Sequence, residues 1–358
     1  MSKFWPKGGL PGMLHHYTET LVTFEYTSPT TTHKPHSLLF IGGLGDGLAT
    51  TSYTVDLVRA LAPTEWSFFT LNLTSSYSSW GTGHLDRDTD EIAACARYIK
   101  EYKSDKFGGD IGKVVLMGHS TGSQCVLHYL SQPNPHRTKH AFDAELEHVE
   151  RPPVDGAIMQ APVSDREAIL WVLQHGFKGR SSAEVKAVWD KLGTLAKEIA
   201  AKGESSSSAV DEILPLWMTS YIYPADTPIS ARRFLSLFSP DSPAAPGEDD
   251  MFSSDLADEQ FARTFGMVKE RGLLRHKLMV LMSGADQAVP DWIDKEALLG
   301  RWRAATDGEG DAAEQLWDKG SGLIPSASHA LSNDDQAEAR RFLVGRVLGY
   351  LQGAEDVQ

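Results

Sequence analysis

Short apolar runs closed by turn residues recur along the chain. They are Leu38-Leu39-Phe40-Ile41 before Gly42-Gly43, Ser67 to Leu73, Lys113 to Met117 before Gly118, Val154 to Met159, and Lys277 to Met282. The apolar residues in these runs are continuous rather than alternating, the pattern of strands buried on both faces of a parallel sheet. Between them lie stretches with helical spacing: Tyr53 to Leu61, Asp90 to Tyr102, Ser123 to Leu130 and, closing the chain, Ala337 to Leu351. Such alternation predicts βαβ units, hence an α/β architecture with a mostly parallel sheet and helices on both faces. Leu21 to Tyr26 alternates apolar and polar positions, and is expected as an antiparallel edge strand.

The rhythm breaks after the fourth run. From residue 165 to 275 no comparable apolar run occurs. The segment instead holds a helical stretch from Ala183 to Ala201, a Ser205–Ser208 loop and a Pro- and acid-rich piece from Ser239 to Asp250. It also carries Trp171, Trp189, Trp217, Tyr221, Tyr223, Phe234 and Phe238. We expect a helical cap inserted at 165–275 between two parts of one core, 1–164 and 276–358. Each of these aromatics is expected to pack in the cap's own core, with some members of the group lining a substrate pocket.

Composition narrows the picture modestly. Hydrophobic residues make up 41% and charged residues 23%, enough for a large core in a chain of 358 residues. With 34 basic against 48 acidic residues the formal charge is −14, which argues against a nucleic-acid partner. Cys95 and Cys125 both fall in helical, apolar surroundings, and are expected as buried reduced thiols. The N-terminal residues lack the apolar stretch of a signal peptide, and no run approaches the roughly 18 apolar residues of a membrane span. The expectation is a cytoplasmic protein without a membrane partner.

Candidate chemistry centres on Gly118-His119-Ser120-Thr121-Gly122, a G-x-S-x-G pattern between a buried run and a helix. In that context the serine sits on a sharp strand-to-helix turn, flanked by glycines that let other backbone come close. The fold class that follows is the α/β-hydrolase fold. A serine hydroxyl needs a base, and the base needs an orienting group; in this fold they follow in the order Ser, acid, His. Ser283-Gly284-Ala285-Asp286 places a carboxylate just beyond the fifth run, so Asp286 is the expected acid, with Asp291 and Asp294 as weaker alternatives. Of 13 histidines only His329 lies C-terminal to Asp286, and it is the expected base. The oxyanion hole calls for two donors. One is the backbone N–H of Thr121; the other comes from the loop after the first run, with Leu44 first choice and Gly43 second.

Other site classes fit poorly. The glycine-rich loop from Gly42 to Gly47 lacks the Lys-Ser/Thr ending of a phosphate-binding loop. Asp86, Asp88, Asp90 and Glu91 lack the glycine and distal glutamate of a calcium loop, and read as capping and dipole compensation at a helix start. His15-His16 and His33 with His36 have no matching ligand set for zinc. No cofactor and no metal is expected.

Three stretches carry a further signal: Phe40-Ile41-Gly42-Gly43-Leu44-Gly45-Asp46-Gly47, Ser75 to Gly83 with Leu85-Asp86-Arg87-Asp88, and Leu116-Met117-Gly118-His119-Ser120-Thr121-Gly122-Ser123-Gln124. Together they resemble a fungal and plant α/β-hydrolase family of unknown function whose characterised branch is the fungal siderophore esterases. The likeness runs over most of the chain, strongest from about residue 38 to 165 and again at Asp286 and His329. What it implies is intracellular hydrolysis of fusarinine C-type esters of N5-acylated N5-hydroxyornithine, with iron arriving on the substrate, a ferric siderophore. Tyr77, Trp80 and His84 are then candidate substrate contacts, or simply pack their loop. The residues leave open a carboxylesterase or acyltransferase of another substrate, and a non-catalytic binding protein on the same fold.

Overall fold

The structure is a computed structural model and describes residues 3–28, 30–110, 112–204, 211–308 and 315–356; the Ser205–Ser208 loop lies outside them. Its centre is an 8-stranded sheet in the order β1-β2-β4-β3-β5-β6-β7-β8. The strands are β1 (Gly12–His16), β2 (Val22–Tyr26), β3 (His36–Ile41), β4 (Trp66–Leu71), β5 (Val114–His119), β6 (Gly156–Gln160), β7 (Leu278–Ser283) and β8 (Gly322–Ile324). β1 and β2 pair antiparallel, β2 joins β4 antiparallel, and every later pairing is parallel.

The five apolar runs become β3, β4, β5, β6 and β7, each displaced by no more than two residues at either end; β5 runs on through Gly118 to His119. Their continuous apolar character reflects burial on both faces. Leu38 and Phe40 of β3 pack with α1 (Thr54–Leu61) and α11 (Ala337–Glu355), through Leu57, Leu343 and Val347. Leu39 and Ile41 face the other side, with Ile92 of α2 (Leu85–Lys106), Val126 of α3 (Thr121–Ser131) and Trp302 of α10 (Lys295–Asp307). The alternation of β3 between the two layers is the two-residue period of a strand. This sheet, with helices on both faces and a strand-to-helix turn at Ser120, is the α/β-hydrolase fold.

One expectation is corrected. The alternating segment at β2 is antiparallel, but it is not the edge strand. β1 lies outside it, with Gly12 paired to Tyr26 and His16 to Val22. β1 has the sequence Gly-Met-Leu-His-His and buries only His15, so the apolar periodicity that marks the other strands is missing. Helices other than α1 also run longer than their apolar spacing: α2 starts at Leu85 rather than Asp90, because its first turn carries the buried acidic residues Asp86 and Asp88.

Between β6 and β7 the chain forms α4 (Asp165–His175), α5 (Ser182–Glu204), α6 (Leu216–Thr219), α7 (Ala231–Phe238), α8 (Asp258–Ala262) and α9 (Met267–Arg271). Two packing regimes divide this stretch. Ile169, Val185, Leu192, Met218, Phe234 and Phe238 form a separate core together with Trp80. Met251, Phe252, Phe261, Phe265 and Leu274 instead join the layer around Trp302 beneath the sheet. Within the separate core, Trp189 packs against Phe234 and Phe238, and Tyr223 stacks on Phe238. Trp171 and Trp217 are exposed. Cys95 and Cys125 are buried free thiols, and burial pushes Cys95 up to about 12. Among the described residues no helix is long and apolar enough to cross a membrane.

Candidate active site

The turn between β5 and α3 holds Ser120 at φ 55, ψ −123, a backbone conformation that L-residues rarely adopt. Surrounding contacts impose it. A Cβ on Gly118 would lie 2.2 Å from Gly122 O, and one on Gly122 would lie 2.3 Å from Ile41 O. Only glycine fits at either place, which is the physical content of the motif's two glycines. Ser120 N–H donates to Gln160 O at 3.0 Å, tying the turn to the neighbouring strand β6.

Two other loops at the same sheet edge converge on this turn. Asp286 follows β7 and His329 follows β8. His329 Nε2 lies 2.8 Å from Ser120 Oγ, and its Nδ1 lies 2.8 Å from Asp286 Oδ2. With Nδ1 protonated, the imidazole donates to the carboxylate and presents the lone pair of Nε2 to the serine hydroxyl. The other Asp286 oxygen accepts from Ala288 N–H at 2.8 Å, and His329 N–H donates to Gln287 Oε1 at 3.0 Å, so both side chains are held in place. Burial pulls the His329 imidazole down. The hydrogen bond and charge of Asp286, with the charges of Asp165 and Asp46, outweigh it, and the net position is above the ordinary imidazole value. Of the alternative acids, Asp294 caps α10 by accepting from Ala297 N–H, and Asp291 is exposed.

The loop after β3 comes close to the serine. A Cβ on Gly43 would stand 2.7 Å from Ser120 Cβ. Asp46 clamps the loop: its Oδ2 accepts from Gly43 N–H and Thr51 Oγ1, both at 2.9 Å, and its Oδ1 accepts from Thr50 Oγ1 at 2.6 Å. Gly43 N–H is thus already engaged, whereas neither Leu44 N–H nor Thr121 N–H makes a hydrogen bond among the described residues. A small cavity beside Thr121 is lined by Gly43, Leu44, Ser76, Trp80 and Arg233.

The three candidate substrate contacts have different fates. Trp80 is buried, lines that cavity and meets Tyr223 edge-on at 5.0 Å. Tyr77 is exposed; its hydroxyl accepts from Leu48 N–H at 3.0 Å and its ring covers Gly47. His84 is buried away from the cavity lining, where it caps α2 by accepting from Arg87 N–H and lies 2.8 Å from Asp143 Oδ2.

Several neighbours of the site carried no clear sequence signal. His119 Nδ1 lies 2.6 Å from Gln160 Oε1, which also accepts from the Tyr53 hydroxyl at 2.9 Å, and Gln160 Nε2 donates to Ser283 Oγ at 3.2 Å. Burial and the neighbouring His329 hold His119 down at about 4, so it is a neutral support beneath the site. Asp165 opens α4 half-buried, accepts from Gln124 Nε2 at 3.1 Å and is pushed up to about 6 by burial. Gln160 stands at the end of a strand and His119 inside the motif, and position was the only clue to either.

The acidic start of α2 also differs from a simple dipole-compensating cap. Asp86, Asp88 and Asp90 are buried; Asp86 contacts His128 and His140, and Asp90 contacts His148. The histidines that gather are therefore none of the N-terminal pairs, and their partners lie far apart in the chain.

Comparison with known proteins places this geometry. The family model described as a protein of unknown function (DUF1749) matches residues 2–352. The chain is 70% identical over 352 residues to fusarinine C esterase sidJ of Aspergillus fumigatus, covering 98% of each. It is 49% identical over 360 residues to Esterase AN6793 of Emericella nidulans, covering 98% of this chain and 94% of that protein. The solved structure of siderophore hydrolase EstB from Aspergillus fumigatus matches with a TM-score of 0.82 at 65% identity, over 98% of this chain and 100% of that one. The chain belongs to the DUF1749 family, on an α/β-hydrolase fold.

Proposed function

We propose that this protein is a serine esterase that hydrolyses the ester bonds of hydroxamate siderophores of the fusarinine C type, acting in the cytoplasm on the ferric complex. The observation that carries the reading is the 2.8 Å approach of His329 Nε2 to Ser120 Oγ, in a chain 70% identical to a fusarinine C esterase. Ser120 attacks the ester carbonyl while His329 accepts its proton, and Asp286 stabilises the imidazolium that forms. The N–H groups of Leu44 and Thr121 face the oxyanion. His329 returns the proton to the leaving alcohol, and a water then releases the acyl group from Ser120 by the same route. Iron is part of the substrate, freed as the tri-ester is cut into monomers.

The helices at 165–275 act as the cap, and the part up to Phe238, with its own core, is the part that bounds the substrate. Trp80 and Arg233, which line the cavity next to Thr121, are the contacts the geometry supports best. The deciding experiment is mass spectrometry of products after incubation with ferric fusarinine C and with its triacetylated relative, using Ser120→Ala as control. Release of hydroxamate monomers by the wild type alone supports the reading. Intact siderophore alongside rapid cleavage of simple esters rejects the substrate and keeps the esterase.

A further inference from the structure

On the opposite side of α3 from its serine end, buried histidines close around one carboxylate. Asp86, His128 and His136 are all buried, and a ligand atom of each lies within 4.8 Å of the other two. They come from three places: the first turn of α2, the last turn of α3 and the segment that follows α3. Asp86 Oδ1 lies 2.7 Å from His128 Nε2 and 3.1 Å from His136 Nδ1.

The proton accounting around His136 is informative. Thr89 Oγ1 lies 2.8 Å from Leu85 O, 3.1 Å from Asp86 O and 2.8 Å from His136 Nε2, with one hydrogen to give. With that hydrogen on either carbonyl, Nε2 of a neutral His136 carries the imidazole's hydrogen and Nδ1 turns a lone pair toward Asp86 Oδ1, an arrangement that a cation would join. The second carboxylate oxygen, Asp86 Oδ2, is held by His140 Nε2 at 2.9 Å, in the manner of the outer partners that orient metal ligands. Glu248 Oε1 lies 3.7 Å from His128 Nε2, just outside the group of three.

We propose that Asp86, His128 and His136 form a structural site for a divalent cation of the zinc class, with the Glu248 carboxylate turning in as the fourth ligand. Two imidazole nitrogens with carboxylate oxygens suit a borderline ion better than calcium or magnesium, which favour all-oxygen shells. A shell made entirely of protein side chains marks a structural ion and not a catalytic one. Its effect would be mechanical. His128 lies eight residues after Ser120, about 12 Å along the helix, and the ion would clamp that end of α3 to the start of α2 and to the segment bearing His136.

The test uses the untagged full-length protein. Metal content is measured by inductively coupled plasma mass spectrometry before and after dialysis against dipicolinate. Zinc chloride is then titrated into the stripped protein against a chromophoric chelator, and thermal unfolding is followed with and without zinc. The expected result is about one zinc per chain, restored on titration, with a higher unfolding midpoint in its presence. His136→Gln and Asp86→Asn should each bind zinc at least about tenfold more weakly, while His329→Ala, which alters the serine site, should bind as the wild type does. Stripped wild-type protein that takes up no stoichiometric zinc and shows no midpoint shift overturns the site, and this readout needs no variant to fold. Binding that persists unchanged in both His136→Gln and Asp86→Asn, or disappears in His329→Ala, overturns it as well.

Discussion

His329 Nε2 stands 2.8 Å from Ser120 Oγ although 209 residues separate the two in sequence. The approach depends on parallel strands that end at one sheet edge, where the turn after β5 and the loop after β8 meet. Replacing Ser120 with Ala removes the nucleophile and leaves the turn's backbone bond to Gln160 O intact. Turnover should fall by at least about 10⁴-fold with an unchanged unfolding midpoint. Steady-state kinetics on a chromogenic ester alongside thermal unfolding makes the check; near-normal turnover would remove Ser120 from the mechanism.

The pH profile should report His329. The base must be neutral to accept the serine proton, so activity appears as pH rises through its pKa, and this group is raised above the ordinary value. The acid limb of kcat/KM should therefore lie above about 6.5, the usual imidazole position. Asp286→Asn removes the hydrogen bond and the charge that do most to raise it, leaving burial, which lowers it, against only the smaller upward pull of Asp165 and Asp46. The limb should move to lower pH while the rate drops by roughly 10⁴-fold through loss of the correct tautomer. A limb that stays in place would assign the titration to another group.

Local signals carried much of the fold and of the serine site, for a physical reason. The central runs of β3, β5 and β7 are continuously apolar because both faces are covered, and Gly118 and Gly122 are required by contacts within a few residues or with the adjacent strand. Asp286 and His329 were legible through chain order, since each follows a strand with a recognisable end. β1 was not, because an exposed edge strand has no need of an apolar pattern. The cluster around Asp86 was equally hidden: His128, His136, His140 and His148 meet it only through the packing of α2 on α3. His84 is drawn into that same region by Asp143, which is why its sequence position near the pocket was misleading.

Gly122→Ala tests how the serine turn and the loop after β3, the proposed source of an oxyanion donor, fit together. The added methyl would fall 2.3 Å from Ile41 O and 2.7 Å from Gly42 O, both in the chain that leads to Leu44. Neither carbonyl can yield without moving the loop away from α3, which separates the Leu44 and Thr121 N–H groups. We expect kcat to fall by at least about 10²-fold, comparable to loss of one oxyanion donor. Stability should drop by about 1–3 kcal/mol from the forced overpacking. Kinetics and urea unfolding of the same preparation measure both, and a variant with wild-type kcat would show that the loop does not supply a donor.

The buried ion pair between Glu25 and Lys103 offers a test of the sheet edge that leaves the serine site untouched. Lys103 is fully buried in α2; its Nζ donates to Glu25 Oε1 and Lys34 O at 2.7 Å and to Ser67 Oγ at 2.8 Å. Burial pushes the Glu25 carboxyl up, but the charge and hydrogen bond of Lys103, with the Ser67 hydroxyl, outweigh it and hold the group below its usual range. Lys103→Met removes the fully buried charge and leaves the Glu25 carboxylate with the Ser67 hydroxyl at 2.6 Å, the Tyr102 hydroxyl at 2.8 Å and the Lys106 ammonium no nearer than 3.9 Å. The cost should be about 3–5 kcal/mol in urea unfolding, because the remaining partner cannot be rehydrated in place. Adding Glu25→Gln to that variant removes the stranded charge and should recover a substantial part of the loss. Activity of the folded fraction should match the wild type throughout, since neither residue touches the strand ends that hold Ser120, Asp286 and His329. Full stability in Lys103→Met alone would mean that Lys106 or water compensates Glu25, and that the pair is not the bond fastening α2 to the antiparallel end of the sheet.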